Sequence, residues 1–138
     1  LPAPALLAVS GPDAYVSPDW YGAPDQVPTW NYIAVHLRGM LEPLPPEALR
    51  PHLERMSARF EARLAPKPAW TMGKMSDEAI VRMLRMILPF RLVIEQVEST
   101  VKLGQNKTEA QREGAAAGIA AMPLGMEATR IAGLMPGK

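Results

Sequence analysis

From Thr29 to Leu41 the stretch "TWNYIAVHLRGML" alternates with a period of two, and this alternation constrains the fold more than any other feature. Side chains along a strand point to opposite faces in turn. Asn31, Ile33, Val35, Leu37 and Leu41 therefore share one face, and Trp30, Tyr32, Ala34, His36 and Arg38 share the other. Such a strand exposes unpaired backbone groups along both edges unless neighbours cover them, so the remaining chain has to supply a sheet.

Ala5 to Ser10 reads as a short apolar strand that ends at Gly11-Pro12-Asp13, and Ala14 to Ser17 as a second short strand. The stretch "SPDWYGAPDQVP" is a loop, too rich in Pro, Gly and Asp to continue a regular element, and it carries Trp20 and Tyr21. Between Pro45 and Leu64 the period becomes helical. Leu49, Leu53, Met56, Phe60 and Leu64 form a stripe predicted to be buried, with Pro51 tolerated in the first turn. Ser76 and Asp77 fit the N-cap of a second helix running through Leu88, with Ile80, Met83, Leu84 and Ile87 as its buried stripe and Pro89 as its stop. Phe90 to Leu103 returns to strand composition. Thr108 with Gln111 makes a capping box for an alanine-rich helix from Glu109 to about Met122, and the tail 123–138 is weakly helical at best. The order reads β, β, β, α, α, β, α. The 138 residues form one domain, with a helical insertion at about 45–88 and a C-terminal helix at about 108–122.

The bulk composition narrows the function. Fifteen Lys and Arg against fourteen Asp and Glu give a net charge of +1, far from the basic surplus that phosphate-backbone binding requires, so direct DNA binding is disfavoured. The absence of cysteine excludes disulfides, thiolate metal sites and cysteine nucleophiles, and fits a reducing compartment, with the cytoplasm as the expected location. No apolar run approaches the roughly 20 residues of a membrane span, which predicts a soluble chain without a membrane partner. The sequence begins on Leu1 with almost no lead-in to its first strand, so a longer natural protein is expected.

Familiar catalytic constellations are missing. His36 and His52 have no partners at metal-ligand spacing, so no metal is expected, and there is no G-x-S-x-G elbow, Walker loop or G-x-G-x-x-G turn. His52, beside Glu54 and Arg55, reads as a solvated surface histidine, whereas His36 shares its strand face with Trp30 and Tyr32. Aromatic and amide chemistry remains. Tyr15, Ser17, Trp20, Tyr21, Trp30, Asn31 and Tyr32 lie in the first third of the chain, and Lys102, Gln105 and Asn106 in the last. A planar heteroaromatic ligand with a phosphate tail would use these types: aromatic edges for the ring, amides for its carbonyls and nitrogens, and a lysine for the negative charge. The same Trp and Tyr side chains can equally be core, and "QN" before a helix can be a cap.

Three blocks, "GPDAYVSPDWY" at 11–21, "VPTWNYIAVHLRG" at 27–39 and "KLGQNKTEAQREG" at 102–114, resemble the signature blocks of the PaiB-type FMN-binding negative transcriptional regulators. The resemblance implies a mainly β fold with helices (α+β), a split β-barrel of the FMN-binding and pyridoxamine-oxidase type that lacks its N-terminal strands in this chain. It further implies a homodimer with FMN at the subunit interface, and Trp30, Asn31, Tyr32, Lys102, Gln105, Asn106, Ser17 and Trp20 as the cofactor-binding residues. Gly104 departs from the pattern, because the family usually has a serine before Gln-Asn. The expected function is a negative transcriptional regulator that responds to ligand or redox state through another protein. The alternatives are a flavin-dependent oxidoreductase on the same barrel, with Lys102 or His36 tuning the flavin, and an assembly module that has lost its cofactor.

Overall fold

The computed structural model describes residues 2–136. Three strands, β1 (Ala3–Val16), β2 (Thr29–Pro43) and β3 (Phe90–Lys102), form one sheet in the order β1-β2-β3. Cross-strand partners run in opposite directions along β2 and β3: Thr29 meets Lys102, Arg38 meets Glu98 and Glu42 meets Arg91, so this pair is antiparallel. The fold is therefore mixed α and β around a three-stranded antiparallel sheet.

The turn expected at Gly11-Pro12-Asp13 is absent, and the two short strands are one continuous β1. Glycine is required at position 11 by proximity rather than by a turn, since a Cβ there would stand 2.8 Å from the Ile33 carbonyl oxygen of β2. Pro12 is tolerated because β1 is an edge strand. The element order thus becomes β, β, α, α, β, α, α.

The chain divides into two compact units. The first comprises the chain up to Ala5 together with Gly39–Ile94, and it holds α1 (Leu49–Glu61) and α2 (Asp77–Leu84). Pro51 sits in the first turn of α1, where its missing N–H costs no intrahelical bond. Ser76 caps α2 by accepting from the Ala79 N–H at 3.3 Å. The helix ends at Leu84 rather than Leu88. Tighter bonds from Met86 to Met83 and from Ile87 to Leu84 close it, and Pro89 disfavours helical geometry at the residue before it. The core here is thin. Only Leu49 of the first predicted stripe and Ile80 of the second are fully buried, while Met56, Phe60, Leu64, Met83 and Ile87 are exposed.

The second unit comprises Leu6–Arg38 and the chain from Glu95 on, and it contains α3 (Glu109–Ala121) and α4 (Ala128–Leu134). Its core joins Ala14, Val16 and Tyr21 to Ala115, Ile119, Ala128, Ile131 and Met135. The Thr108–Gln111 capping box opens α3 as the sequence predicts. The tail is more ordered than expected, because Ala128, Ile131, Ala132 and Met135 recur at i, i+3, i+4 and i+7 and are all buried. Just ahead of α4, the carbonyls of Leu124 and Met126 accept from the Tyr15 and Asp13 N–H groups at 2.8 and 2.9 Å, covering part of the β1 edge.

Candidate functional site

Alternation along β2 decides which of the aromatic and amide side chains can meet one ligand. Trp30 and Tyr32 emerge on one face, 46 % and 37 % exposed, and Asn31 enters the core on the other with no exposure at all. The run read from sequence as a single flavin-facing group is thus split between two sides of the strand.

On the exposed side, Trp30 and Tyr32 line a cavity of about 230 Å³ with Ser10, Gly11, Asp13, Ile33 and Ala34. Tyr15 fixes the indole edge-to-face, with ring centroids 5.8 Å apart and planes at 72°. The Asp13 carboxylate is held from the rear, accepting from the Met126 N–H at 2.8 Å. This small concavity offers an aromatic wall, a hydroxyl and a carboxylate.

On the buried side, the Asn31 amide donates from Nδ2 to the Met135 Sδ at 3.4 Å, and its Oδ1 has no hydrogen-bond partner. A buried, unsatisfied amide oxygen costs roughly 1–3 kcal/mol. The cost marks Asn31 as an acceptor in need of a donor.

The other sequence-predicted residues occupy different places. Ser17 precedes the short 3-10 turn Pro18–Tyr21 and makes no side-chain cap bond. Trp20 packs on α3, where its ring lies so close to Gly118 that any Cβ there would overlap it. Lys102 donates from Nζ to the Thr29 Oγ1 at 2.6 Å, immediately before Trp30 in sequence. Gln105 folds back on its own turn, accepting from the Leu103 N–H and donating to the Val101 carbonyl, and Asn106 is exposed. Gly104, in place of the family's usual serine, has φ +75°, a backbone geometry that disfavours a side chain. His36 is half-buried and His52 exposed.

Sequence reasoning missed Ser10, Asp13 and Lys107. Lys107 lies 4.9 Å from the Tyr21 ring centroid and hydrogen-bonds the Gln26 side chain, and burial pushes the Tyr21 hydroxyl above its ordinary pKa. Ser10 and Asp13 give no spacing signal while Gly11 reads as a turn, and Lys107, which follows β3, meets Tyr21 only through the tertiary fold. Larger hollows of about 520 and 540 Å³ occur in the helical unit, but Pro, Leu and Ile dominate their walls, with few polar groups to orient a ligand.

The donor set can be tested against FMN. Trp30 and Tyr32 suit a flat ring, and Lys102 suits a phosphate. The orphaned Asn31 oxygen shows that this part of β2 carries an acceptor the fold itself leaves unsatisfied. At about 230 Å³ the cavity is smaller than the usual 300–1,000 Å³ of cofactor pockets.

Comparison with known proteins points the same way. Residues 2–96 match the family model described as "Putative FMN-binding domain". The chain is also 34 % identical over 104 residues to the protease synthase and sporulation protein PAI 2 of Bacillus subtilis (strain 168). That alignment covers 75 % of this chain and 49 % of the relative, so the chain spans about half the length of the curated relative it matches. Trp30, Tyr32 and the rest of the cavity lie within the matched residues, whereas Lys102, Gln105 and Asn106 lie beyond them.

Proposed function

We propose a function from one premise: the chain belongs to the PaiB-type FMN-binding family, and its cofactor is FMN. In this reading the chain is a flavin-responsive regulator on a split β-barrel. Trp30 and Tyr32 hold the isoalloxazine ring, and Lys102 holds the phosphate. The observation that carries it is the aromatic cavity on β2, which falls inside the matched residues and is too small to be a complete cofactor pocket. A second copy of the chain supplies the missing wall. In support, β3 is the outer strand of the sheet, with Ile94, Val97 and Val101 exposed, and such an edge calls for cover.

FMN supplies one- and two-electron chemistry when bound. The residues of this chain orient it: the Trp30–Tyr32 wall sets the ring plane, and the Lys102 ammonium discriminates a phosphorylated flavin from an unphosphorylated one. Ligand or redox state then biases contact with another regulatory protein. The near-neutral charge of the chain favours this indirect route over direct binding to DNA.

The test is a flavin fluorescence titration comparing FMN with riboflavin, run beside sedimentation analysis. The expected result is saturable FMN binding to a dimer. Lys102→Met should lose the preference for FMN, while Trp30→Leu should weaken both flavins. Equal affinity of the unaltered chain for FMN and riboflavin would remove Lys102 from the phosphate site, and flavin binding to a monomer would remove the shared wall.

A further inference from the structure

We propose that the C-terminal half of α1 is a docking surface for an amphipathic helix of another protein, one that carries a row of carboxylates beside its apolar face. The apolar stripe of α1 is longer than the core that receives it. Leu49 is buried, but Met56, Phe60 and Leu64 are 43 %, 58 % and 54 % exposed, in a row spaced by four residues that continues past the end of the helix. At 1.5 Å per residue this row is about 12 Å long, the width of a partner helix lying in a groove.

The charges beside the row identify the occupant. Arg55, Arg59 and Arg63 repeat the same spacing one position earlier, and none forms an ion pair among the described residues. The opposite border carries carboxylates, and these are already engaged: Glu54 with Arg50 at 3.1 Å, and Glu61 with Lys67. That border is mixed, since Arg50, Lys67 and Lys74 lie beside its glutamates, whereas the other is lined by unpaired guanidiniums alone. A flat anionic bilayer would favour cations on both borders, and a nucleic acid would have no use for three large apolar side chains between them. A second copy of α1 packed antiparallel on this surface would bring two arginine rows to one seam, and packed parallel would offer those rows only glutamates already paired with Arg50 and Lys67. A helix with carboxylates along one edge matches both the apolar row and the one-sided charge, since guanidinium groups pair bidentately with carboxylates.

The probe is a fluorescently labelled helical peptide of about four turns, with leucines every fourth residue and a glutamate row beside them, titrated with the 138-residue chain by anisotropy. Saturable binding is expected. Arg59→Glu and, separately, Phe60→Ser should each weaken it about tenfold, with circular dichroism unchanged because both side chains are exposed. A peptide with glutamine in place of glutamate should bind as weakly as the Arg59→Glu variant binds the acidic one. Absence of saturable binding, equal affinity for the glutamine peptide, or tighter association with phosphatidylglycerol vesicles or duplex DNA than with the acidic peptide would overturn the proposal.

Discussion

Asn31 is the residue whose environment is hardest to explain by packing alone. Fully buried, it spends its amide donor on a thioether and leaves its oxygen unpaired. If folding were its only role, replacement by a similar-sized apolar side chain would remove a penalty. We therefore expect Asn31→Leu to leave the melting temperature unchanged or raise it, by up to about 1 kcal/mol in stability, and, because Asn31 enters the core on the face away from Trp30 and Tyr32, to leave FMN binding unchanged. Thermal unfolding and flavin titration on the same sample check the two outcomes. The opposite case is Glu61, whose carboxyl is held below the usual range first by the hydrogen bond from Lys67 and then by the Trp70 N–H. A lowered folded-state pKa means that Glu61 contributes stability above its ordinary value of 4.5, and that this contribution is lost as pH falls through the lower folded value. Glu61→Gln should accordingly flatten the acid limb of stability between the two values, as read by urea unfolding across acidic pH. The types of residue at the candidate site could be read from the sequence. Their split between faces could be read too, since the alternation sets Asn31 apart from Trp30 and Tyr32; what could not be read is that β1 brings Ser10 and Asp13 beside those rings, because that contact joins positions far apart in the chain.

Among the elements, those defined by local chemistry matched their sequence signals and those defined by distant contacts did not. The capping box at Thr108, the Ser76 cap and the period-two run of β2 all involve neighbours within a few residues, and each was legible. Gly11 looked like a turn because glycine serves turns and close approaches alike, and the close approach is to Ile33, far along the chain. The stripes of α1 and α2 were legible as stripes, but how much of each is covered depends on a core that the sequence does not delimit. The α4 repeat was present in the tail and was masked by its glycines and prolines. A strong contact at this scale is Trp20 on α3, where Gly118 leaves no room for a methyl group. Gly118→Ala should destabilise the unit by about 1–3 kcal/mol despite the higher helix propensity of alanine, and chemical denaturation would show it. Little or no loss would mean that the indole can move aside.

For the whole molecule, the central claim is that the exposed face of β2 forms one wall of a flavin site. The sheet leaves large apolar side chains uncovered on β1 and β3, and no helix among the described residues is long and apolar enough to cross a membrane. The chain spans about half the length of the curated relative it matches. The most direct measurement is an NMR titration of the isotope-labelled chain with FMN, following the indole N–H signals of the three tryptophans. The expected result is that the Trp30 signal shifts strongly, together with the backbone amides of Tyr32 and Gly11, while Trp70 stays in place. A dominant shift at Trp70, or FMN binding that leaves Trp30 unmoved, would contradict the account.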